Sequence, residues 1–433
     1  MPKDQIGEAR VQYWQGLVGI IAILAMAVLF STNRRAIRLR IVTAALALQA
    51  ALAALVLYLP AGRAALAAMS DGVQALINFS GAGIAMVFGP LASEVGFSFA
   101  LNVLPIIIFF SALMSVLYHI GVMQPIVTWG GGALRFLLGT GRVESLTATA
   151  NVFVGQTEAP LVVRPYLPHV TRAQLFAIMT TGMASVSGSV LAAYAQMGID
   201  INYLLAASFM SAPGGLLMAK IIMPDDKPAP RTPATLEATG DGPQDSVGEK
   251  ASDAETFERA KQSNVIMAAA SGAQDGLMLA ASIGAMLIAF VSLIALVNGG
   301  LGALGNLAGV ENLTLQGLLG YIFAPVMWLL NIPWSEAQQA GGVFGEKLIL
   351  NEFVAFMHLG QMGDTLSPRT MAITTFALCG FANLSSIGIL LAALNTLAPS
   401  RAPEMARYGF HVVAAGSLSN LMSAALASLF ITG

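Results

Sequence analysis

The amino-acid sequence predicts an all-α, polytopic membrane protein with about eight transmembrane helices, two re-entrant hairpins and an inverted internal repeat. Three observations lead there. Of 433 residues, 56% are hydrophobic and only 10% are charged, whereas a soluble domain carries about 25% charged residues. Apolar runs of membrane-crossing length recur along the chain. Two carboxylates, Glu158 and Glu352, stand within hydrophobic sequence at matching places in the two halves.

A helix needs roughly 17–25 apolar residues to cross a ~30 Å hydrocarbon core. Such runs fall at about 14–31, 41–59, 101–121, 173–195, 201–222, 265–298, 370–393 and 408–431. The stretch before the first run mixes Lys3 and Arg10 with Asp4 and Glu8, and an arginine cluster follows the run in place of a small-residue cleavage site. It therefore reads as a membrane helix rather than a cleavable signal. Residues 61–80 are weaker and two-faced, which predicts an interfacial helix. Leu313–Leu330 is apolar enough for a ninth span; repeat symmetry argues against it, as does the outward placement it would force on Arg401 and Arg407. Between Met223 and Lys261 the composition turns to Pro, Asp, Ala and Thr, with nine acids and five bases, which predicts a solvated, disordered linker.

Basic residues set the orientation. With the arginine-rich loop 33–40 in the cytoplasm, sixteen of 21 Lys and Arg lie inside; Lys3, Arg10, Arg63, Lys347 and Arg369 lie outside, as do both termini. The expected organisation is an N-terminal scaffold with its interfacial helix (1–141), a first hairpin with transport helices (142–222), and the linker (223–264). A scaffold and connecting helix (265–333) and a second hairpin with transport helices (334–433) complete it.

Several function classes fall away. A net charge of −2 offers no basic surface for nucleic acid. Cys379 is the only cysteine, so neither an intrachain disulfide nor a cysteine metal cluster can form. His119, His169, His358 and His411 follow no metal-ligand spacing, and the chain has no G-x-x-x-x-G-K-[ST] motif for ATP.

The repeat is read from two segments. Gly182-Met183-Ala184-Ser185-Val186-Ser187 resembles Gly380-Phe381-Ala382-Asn383-Leu384-Ser385. Glu158 and Glu352 precede them by 24 and 28 residues, and Glu144 and Glu336 precede those acids by 14 and 16. Each half thus reads helix, acidic hairpin, polar-centred helix, closing helix. An odd number of spans between the halves inverts the second, an architecture that places solute between broken helices. In the first hairpin Gly155 and Pro160 interrupt a short apolar pattern, and Pro165 and Pro168 end it. Its turn cannot face lipid with unpaired amides, so it sits in protein or a wet cavity. The second hairpin, around Leu350-Asn351-Glu352-Phe353, has no proline.

An ionised carboxylate in the membrane costs roughly 2.5–3.5 kcal/mol even on a lenient insertion scale, which makes Glu158 and Glu352 functional candidates. Asp275, near the start of a span, reads as structural. Two carboxylates with the amides of Gln156 and Asn383 and the hydroxyls of Thr157 and Ser386 suit a neutral, multiply hydroxylated solute or a cation. They do not suit a carboxylate or phosphate. Asn151, Ser185 and open carbonyls near Val154 and Val186 offer only oxygen, which fits a hard alkali ion; ordinary interhelical hydrogen bonding fits Asn151 and Ser185 equally well.

The segments NVFVGQTEAPLVVRPYLP, Ala184-Ser185, LNEFVAF and CGFANLSSI resemble the concentrative nucleoside transporters, especially the bacterial sodium-coupled members. The likeness runs over nearly the whole chain and is weakest in the linker. It implies a multi-pass protein of the bacterial inner membrane, a homotrimer whose protomers pair a fixed scaffold with a transport domain moving elevator-fashion. It implies import of nucleosides such as uridine by symport with Na+, and termini on the periplasmic side. It implies that Gln156, Thr157, Glu158 and Val190 face the base, that Glu352, Asn383 and Ser386 bind ribose hydroxyls, and that Phe381 packs against the nucleoside. Asn151, Val154, Ser185 and Val186 would hold sodium, the valines through their carbonyls. Proton coupling is the alternative drive. A channel is a second class and an intramembrane glycosidase using the acid pair a third; clustering of the polar groups at one depth disfavours the channel, and no nucleophile or metal motif supports an enzyme.

Overall fold

The computed structural model describes residues 3–91, 98–225, 264–363 and 365–431. Among them every regular element is helical. In chain order these are α1 (Lys3–Leu29), α2 (Leu39–Leu57), α3 (Pro60–Phe88), α4 (Leu104–His119), α5 (Met123–Leu138) and α6 (Arg142–Ala150). A short 3-10 helix, Ala159–Tyr166, precedes α7 (Arg172–Ala184), α8 (Gly188–Gln196) and α9 (Ile201–Ile222). The second half holds α10 (Val265–Ala308), α11 (Leu315–Leu329), α12 (Trp334–Ile349), α13 (Glu352–Gln361), α14 (Pro368–Leu378), α15 (Leu384–Leu397) and α16 (Ala402–Ser428). Most of the predicted linker, 226–263, lies outside the described residues.

Among the described residues seven helical segments are long and apolar enough to cross a membrane, or eight if the bent pair α11–α12 counts as one. That pair turns through 117° at residues 330–333, where Asn331 takes a positive φ of 69° and Pro333 restarts the chain. Leu313–Leu330 is thus one arm of a broken pair rather than a straight ninth span. Residues 61–80 belong to the 29-residue α3, long enough to cross, with the lowest mean hydropathy of the seven at 1.2. The predicted 370–393 span divides into α14 and α15, and 173–195 into α7 and α8. Cys379 therefore caps α14 and Asn383 caps α15, where a continuous 370–393 span would have put both in one helix. Two residues that charge counting placed outside, Lys347 and Arg369, are buried in the protein.

The repeated order is present in three dimensions. In each half a first arm (α6 or α12) carries an acid in its opening turn, Glu144 or Glu336. A hairpin, a broken helix and a long closing helix (α9 or α16) follow. Burial separates these elements from the rest. In the apolar windows of Arg172–Gln196, Ile201–Ile222 and Pro399–Ser428, 94%, 89% and 83% of residues are buried, against 11–28% for α2, α3, α4 and α10. The buried windows are only moderately apolar, with mean hydropathies of 1.3–1.5, whereas α2, α4 and α10 of the shell reach 2.0–2.5; polar groups are kept inside the protein, where they find partners.

Local chemistry sets the breaks. Thr171 and Gln174 make a capping box that starts α7. Asn351 and Asn383 cap α13 and α15 through their Oδ1 atoms, accepting from Val354 N at 3.0 Å and Ser386 N at 2.7 Å. The two broken helices cross at their breaks, where Phe381 N donates to Ser185 O at 3.1 Å.

Candidate functional site

The first hairpin leaves helical geometry after Ala150. Gly155 O then accepts from the amides of Glu158 and Ala159, both at 3.0 Å, and Pro160 opens the 3-10 arm. Gly188 N donates to Phe153 O at 3.0 Å, which pins the hairpin tip to the break between α7 and α8. Gly182 matters here: a Cβ at that position would stand 3.1 Å from Gln156 Cβ, so the small residue admits the hairpin. The base of the hairpin is held by Lys220 of α9, whose Nζ lies 2.6 Å from Glu144 Oε2 and 2.7 Å from Asp225 Oδ1.

The second hairpin turns at Leu350 and places Glu352 at the start of α13, nearly fully buried. Its Oε2 accepts from Asn383 Nδ2 at 2.7 Å and its Oε1 from Tyr194 Oη at 3.2 Å. Tyr194 is held in turn between Phe353 and Phe356, with ring centroids 4.9 and 4.3 Å away. Across α12 and α13, Glu346 accepts from Gln316 of α11 at 2.8 Å and pairs with His358 Nδ1 at 2.8 Å, joining both arms to the shell.

Between the hairpins lies a cavity of about 130 Å³. Gln156, Thr157 and Glu158 line one side, Glu352, Phe381 and Ser386 the other, and Val190 lies between. Seven of the eight substrate-binding candidates from the sequence thus meet at one cavity; the eighth, Asn383, is fully buried behind Glu352. The Gln156 side chain is buried and its Oε1 has no hydrogen-bond partner among the described residues. Sequence reasoning missed Ser111, Ser115 and Tyr118 of α4, which close the cavity from the shell, and Tyr194 behind it. A serine-and-tyrosine stripe on an otherwise apolar span was the available signal for α4. Asp275, read as structural, also lines the cavity.

The ion candidates cluster beneath. Asn151 is 1% exposed; its Nδ2 donates to Thr181 Oγ1 at 3.3 Å, while its Oδ1 has no partner among the described residues. Ser185 Oγ donates to Thr181 O at 2.9 Å, so both side chains converge on one residue. Val154 and Val186 are buried in the adjoining turn and break. A buried acceptor left unpaired is costly, and an oxygen-only set with one such acceptor fits an alkali cation. No group of three or more His, Cys, Asp or Glu among the described residues could hold a transition metal.

A sequence model of the Na+ dependent nucleoside transporter C-terminus matches residues 203–428, and its N-terminal counterpart matches 18–91. A third, described as nucleoside recognition, matches 100–200. The chain is 45% identical over 427 residues to the nucleoside permease NupC of Helicobacter pylori, covering 96% of this chain and 97% of that one. It belongs to the Na+-dependent nucleoside transporter family. The likeness extends to the transporter YutK of Bacillus subtilis, 49% identical over 96% of this chain and 99% of the relative. Human solute carrier family 28 member 3 is 34% identical, with 98% of this chain matching 60% of that protein. Among solved structures, CNTnw in an inward-facing substrate-bound state superposes with a TM-score of 0.88 at 47% identity, over 97% of this chain and 98% of that one. A variant of CNTnw in an outward-facing state superposes with a TM-score of 0.89, also at 47% identity, over 97% of this chain and 99% of that one. The family consists of transporters and permeases, not enzymes, and its architecture is the multi-pass helical one found here.

Proposed function

We propose that the protein imports nucleosides by symport with sodium, as a homotrimer in the bacterial inner membrane with periplasmic termini. The observation that carries this reading is the composition of the cavity. Two hairpins and two helix breaks bring a buried amide, a hydroxyl and a carboxylate to one side, and a second carboxylate braced by Tyr194 and Asn383 to the other. Gln156, Thr157, Glu158 and Val190 face the base. Glu352, Asn383 and Ser386 take the ribose hydroxyls, and Phe381 packs on the nucleoside. A carboxylate accepts from two vicinal hydroxyls with charge-assisted strength. The buried repeat elements move as a transport domain against a scaffold of exposed helices, elevator-fashion, and the linker at 223–264 joins the halves on the cytoplasmic side.

Sodium is held by Asn151 Oδ1, Ser185 and the carbonyls of Val154 and Val186. Support comes from the orphaned Oδ1 and from the family's sodium dependence. The ion supplies both coupling and order: Asn151 and Val154 belong to the same hairpin as Gln156, Thr157 and Glu158. A cation tying that hairpin to the Ser185 break preorganises the nucleoside ligands, and each ligand then raises the other's affinity by one shared factor. One charge moving through 100 mV is worth about 2.3 kcal/mol, or roughly fifty-fold accumulation.

Isothermal titration with uridine in sodium and choline buffers at fixed pH tests the coupling. Affinity should fall in choline; equal affinity in both would end the sodium reading and leave proton coupling as the drive. Asn151→Ala and Ser185→Ala should each raise the sodium concentration for half-maximal uptake, with partial recovery of uridine binding at high sodium.

A further inference from the structure

One fully buried lysine is hydrogen-bonded within the second repeat, and its partner Asn420 reaches the first. Lys347, in the last turn of α12, donates from Nζ to Ala377 O at 2.9 Å and to Asn420 Oδ1 at 2.8 Å, with the Phe344 ring centroid 5.8 Å away. Both hydrogen-bond acceptors are neutral, and the Glu352 carboxylate acts on the ammonium through space. An ammonium taken out of water is costly unless its new surroundings replace that hydration, so a cradle of neutral oxygens here calls for an explanation beyond packing. Asn420 relays the contact: its Nδ2 donates to Ala184 O at 2.7 Å and to Cys379 O at 2.8 Å. Ala184 ends α7, and Ala377 and Cys379 lie at the end of α14, the half-helices that precede the two breaks. Unpaired carbonyls and the helix dipole make these ends negative. The lysine charge meets one directly and the other through Asn420.

Its place in the repeat gives the contact meaning. Asn151 reaches from the end of the first arm of hairpin one to Thr181, on the helix before the first break. Lys347 reaches from the first arm of hairpin two to Ala377, on the helix before the second break. Asn151 lies seven residues ahead of Glu158, and Lys347 five ahead of Glu352. One of these analogous contacts is made by an amide with an orphaned oxygen, the other by a lysine side chain.

We propose that Lys347 is a tethered cation that does in the second repeat what the coupling ion does in the first, holding the hairpin to the carboxyl ends of the broken helices and so positioning Glu352 and Phe381. The proposal rests on reading Asn151 and Ser185 as the ion site. Lys347 does not line the cavity, so it acts as a positioning residue. Only the first repeat then needs a cation from solution, and one sodium accompanies each nucleoside.

The test uses the full-length protein in detergent, with uridine as probe. Lys347→Gln keeps a hydrogen-bond donor without the charge, and Lys347→Met removes both. Both variants should bind uridine about tenfold more weakly or worse at saturating sodium. The melting temperature of Lys347→Met should gain a dependence on ammonium that the parent lacks, because the vacated oxygens can take a free monovalent cation. The parent's sodium dependence should have a Hill coefficient of one. Parental uridine affinity in either variant, a Lys347→Met melt indifferent to ammonium, or a parental Hill coefficient of two overturns the proposal. If neither lysine variant folds, Asn420→Ser decides: it keeps an acceptor for Lys347 and drops the bonds to Ala184 and Cys379. Unchanged uridine affinity in Asn420→Ser overturns the relay, and a loss supports it. A parent protein that binds no uridine defeats the proposed function instead, and the ammonium-dependent melt still judges Lys347 without reference to the nucleoside.

Discussion

Replacing Glu352 by Gln separates charge from shape at the proposed ribose site. The present carboxylate accepts from Asn383 at 2.7 Å and from Tyr194 at 3.2 Å. Glutamine can keep its oxygen toward Asn383 Nδ2 and turn its NH2 to the Tyr194 hydroxyl, which can accept. The surroundings therefore tolerate the change and the fold should survive. What is lost is a second acceptor and the charge behind both. A hydrogen bond to a charged group contributes about 1.5–3 kcal/mol, against about 1 for a neutral one. Losing one such bond to a ribose hydroxyl predicts a fall in affinity of roughly 10- to 150-fold, at 1.4 kcal/mol per decade. Uridine binding to purified Glu352→Gln, checked for native oligomeric size, measures it. A 2′,3′-dideoxynucleoside should already bind the parent weakly, and the variant should discriminate little between the two ligands. Uridine affinity within about threefold of the parent's would be well under the 1.4 kcal/mol of one decade and would refute the assignment.

Three further outcomes follow from the interior. Lys220→Met leaves Glu144 buried beside Asp225 without its cation, so it should destabilise the protein by about 3–5 kcal/mol in thermal unfolding, and adding Glu144→Gln should restore most of the loss. Gly380→Ala would place a Cβ 2.8 Å from Ala184 O and closer still to the Asn420 amide; overpacking of this kind costs about 1–3 kcal/mol, read as a lower melting temperature together with reduced uptake. Cys379 is 1% exposed and its thiol lies 3.9 Å from Leu204 O. A small maleimide should modify it slowly, and more slowly still with nucleoside present; rapid labelling indifferent to substrate would show that the break at Cys379 opens without regard to the site.

The membrane fold was legible because its signals are local. Runs of apolar residues fix span length, and Gly155 with Pro160 and Pro165 announces a hairpin by removing helical hydrogen bonds. The break at 379–383 was not legible as a break. Cys379-Gly380-Phe381-Ala382-Asn383 contains no proline and only one glycine, and nothing local forbids a helix through it. What ends α14 is tertiary: Phe381 N pairs with Ser185 O in the other repeat, and Gly380 gives room to Asn420. Charge counting treats every basic residue as solvated, whereas Lys347 is satisfied by Ala377 and Asn420, and Arg369 by the carbonyls of Asn331, Ser428 and Ile431.

The residues that gather at the cavity were legible for a different reason: the architecture obliges polar chemistry to appear there. A helix broken inside a membrane protein leaves unpaired amides at its new N-terminus, and in hydrocarbon these need a cap. Asparagine suits such a position because its oxygen caps the helix while its NH2 stays free. Asn383 does both, accepting from Ser386 N and donating to Glu352. Asn351 caps the helix that Glu352 opens, and puts that carboxylate against the positive end of α13. An aspartate at 383 would cap as well, yet would face Glu352 with a second negative charge. The fold's need for caps and the site's need for a braced acceptor are thus met by the same two amides. That is why a search for acids and amides in hydrophobic sequence found the cavity, while Tyr194 and the serines of α4, which cap nothing at the breaks, escaped it.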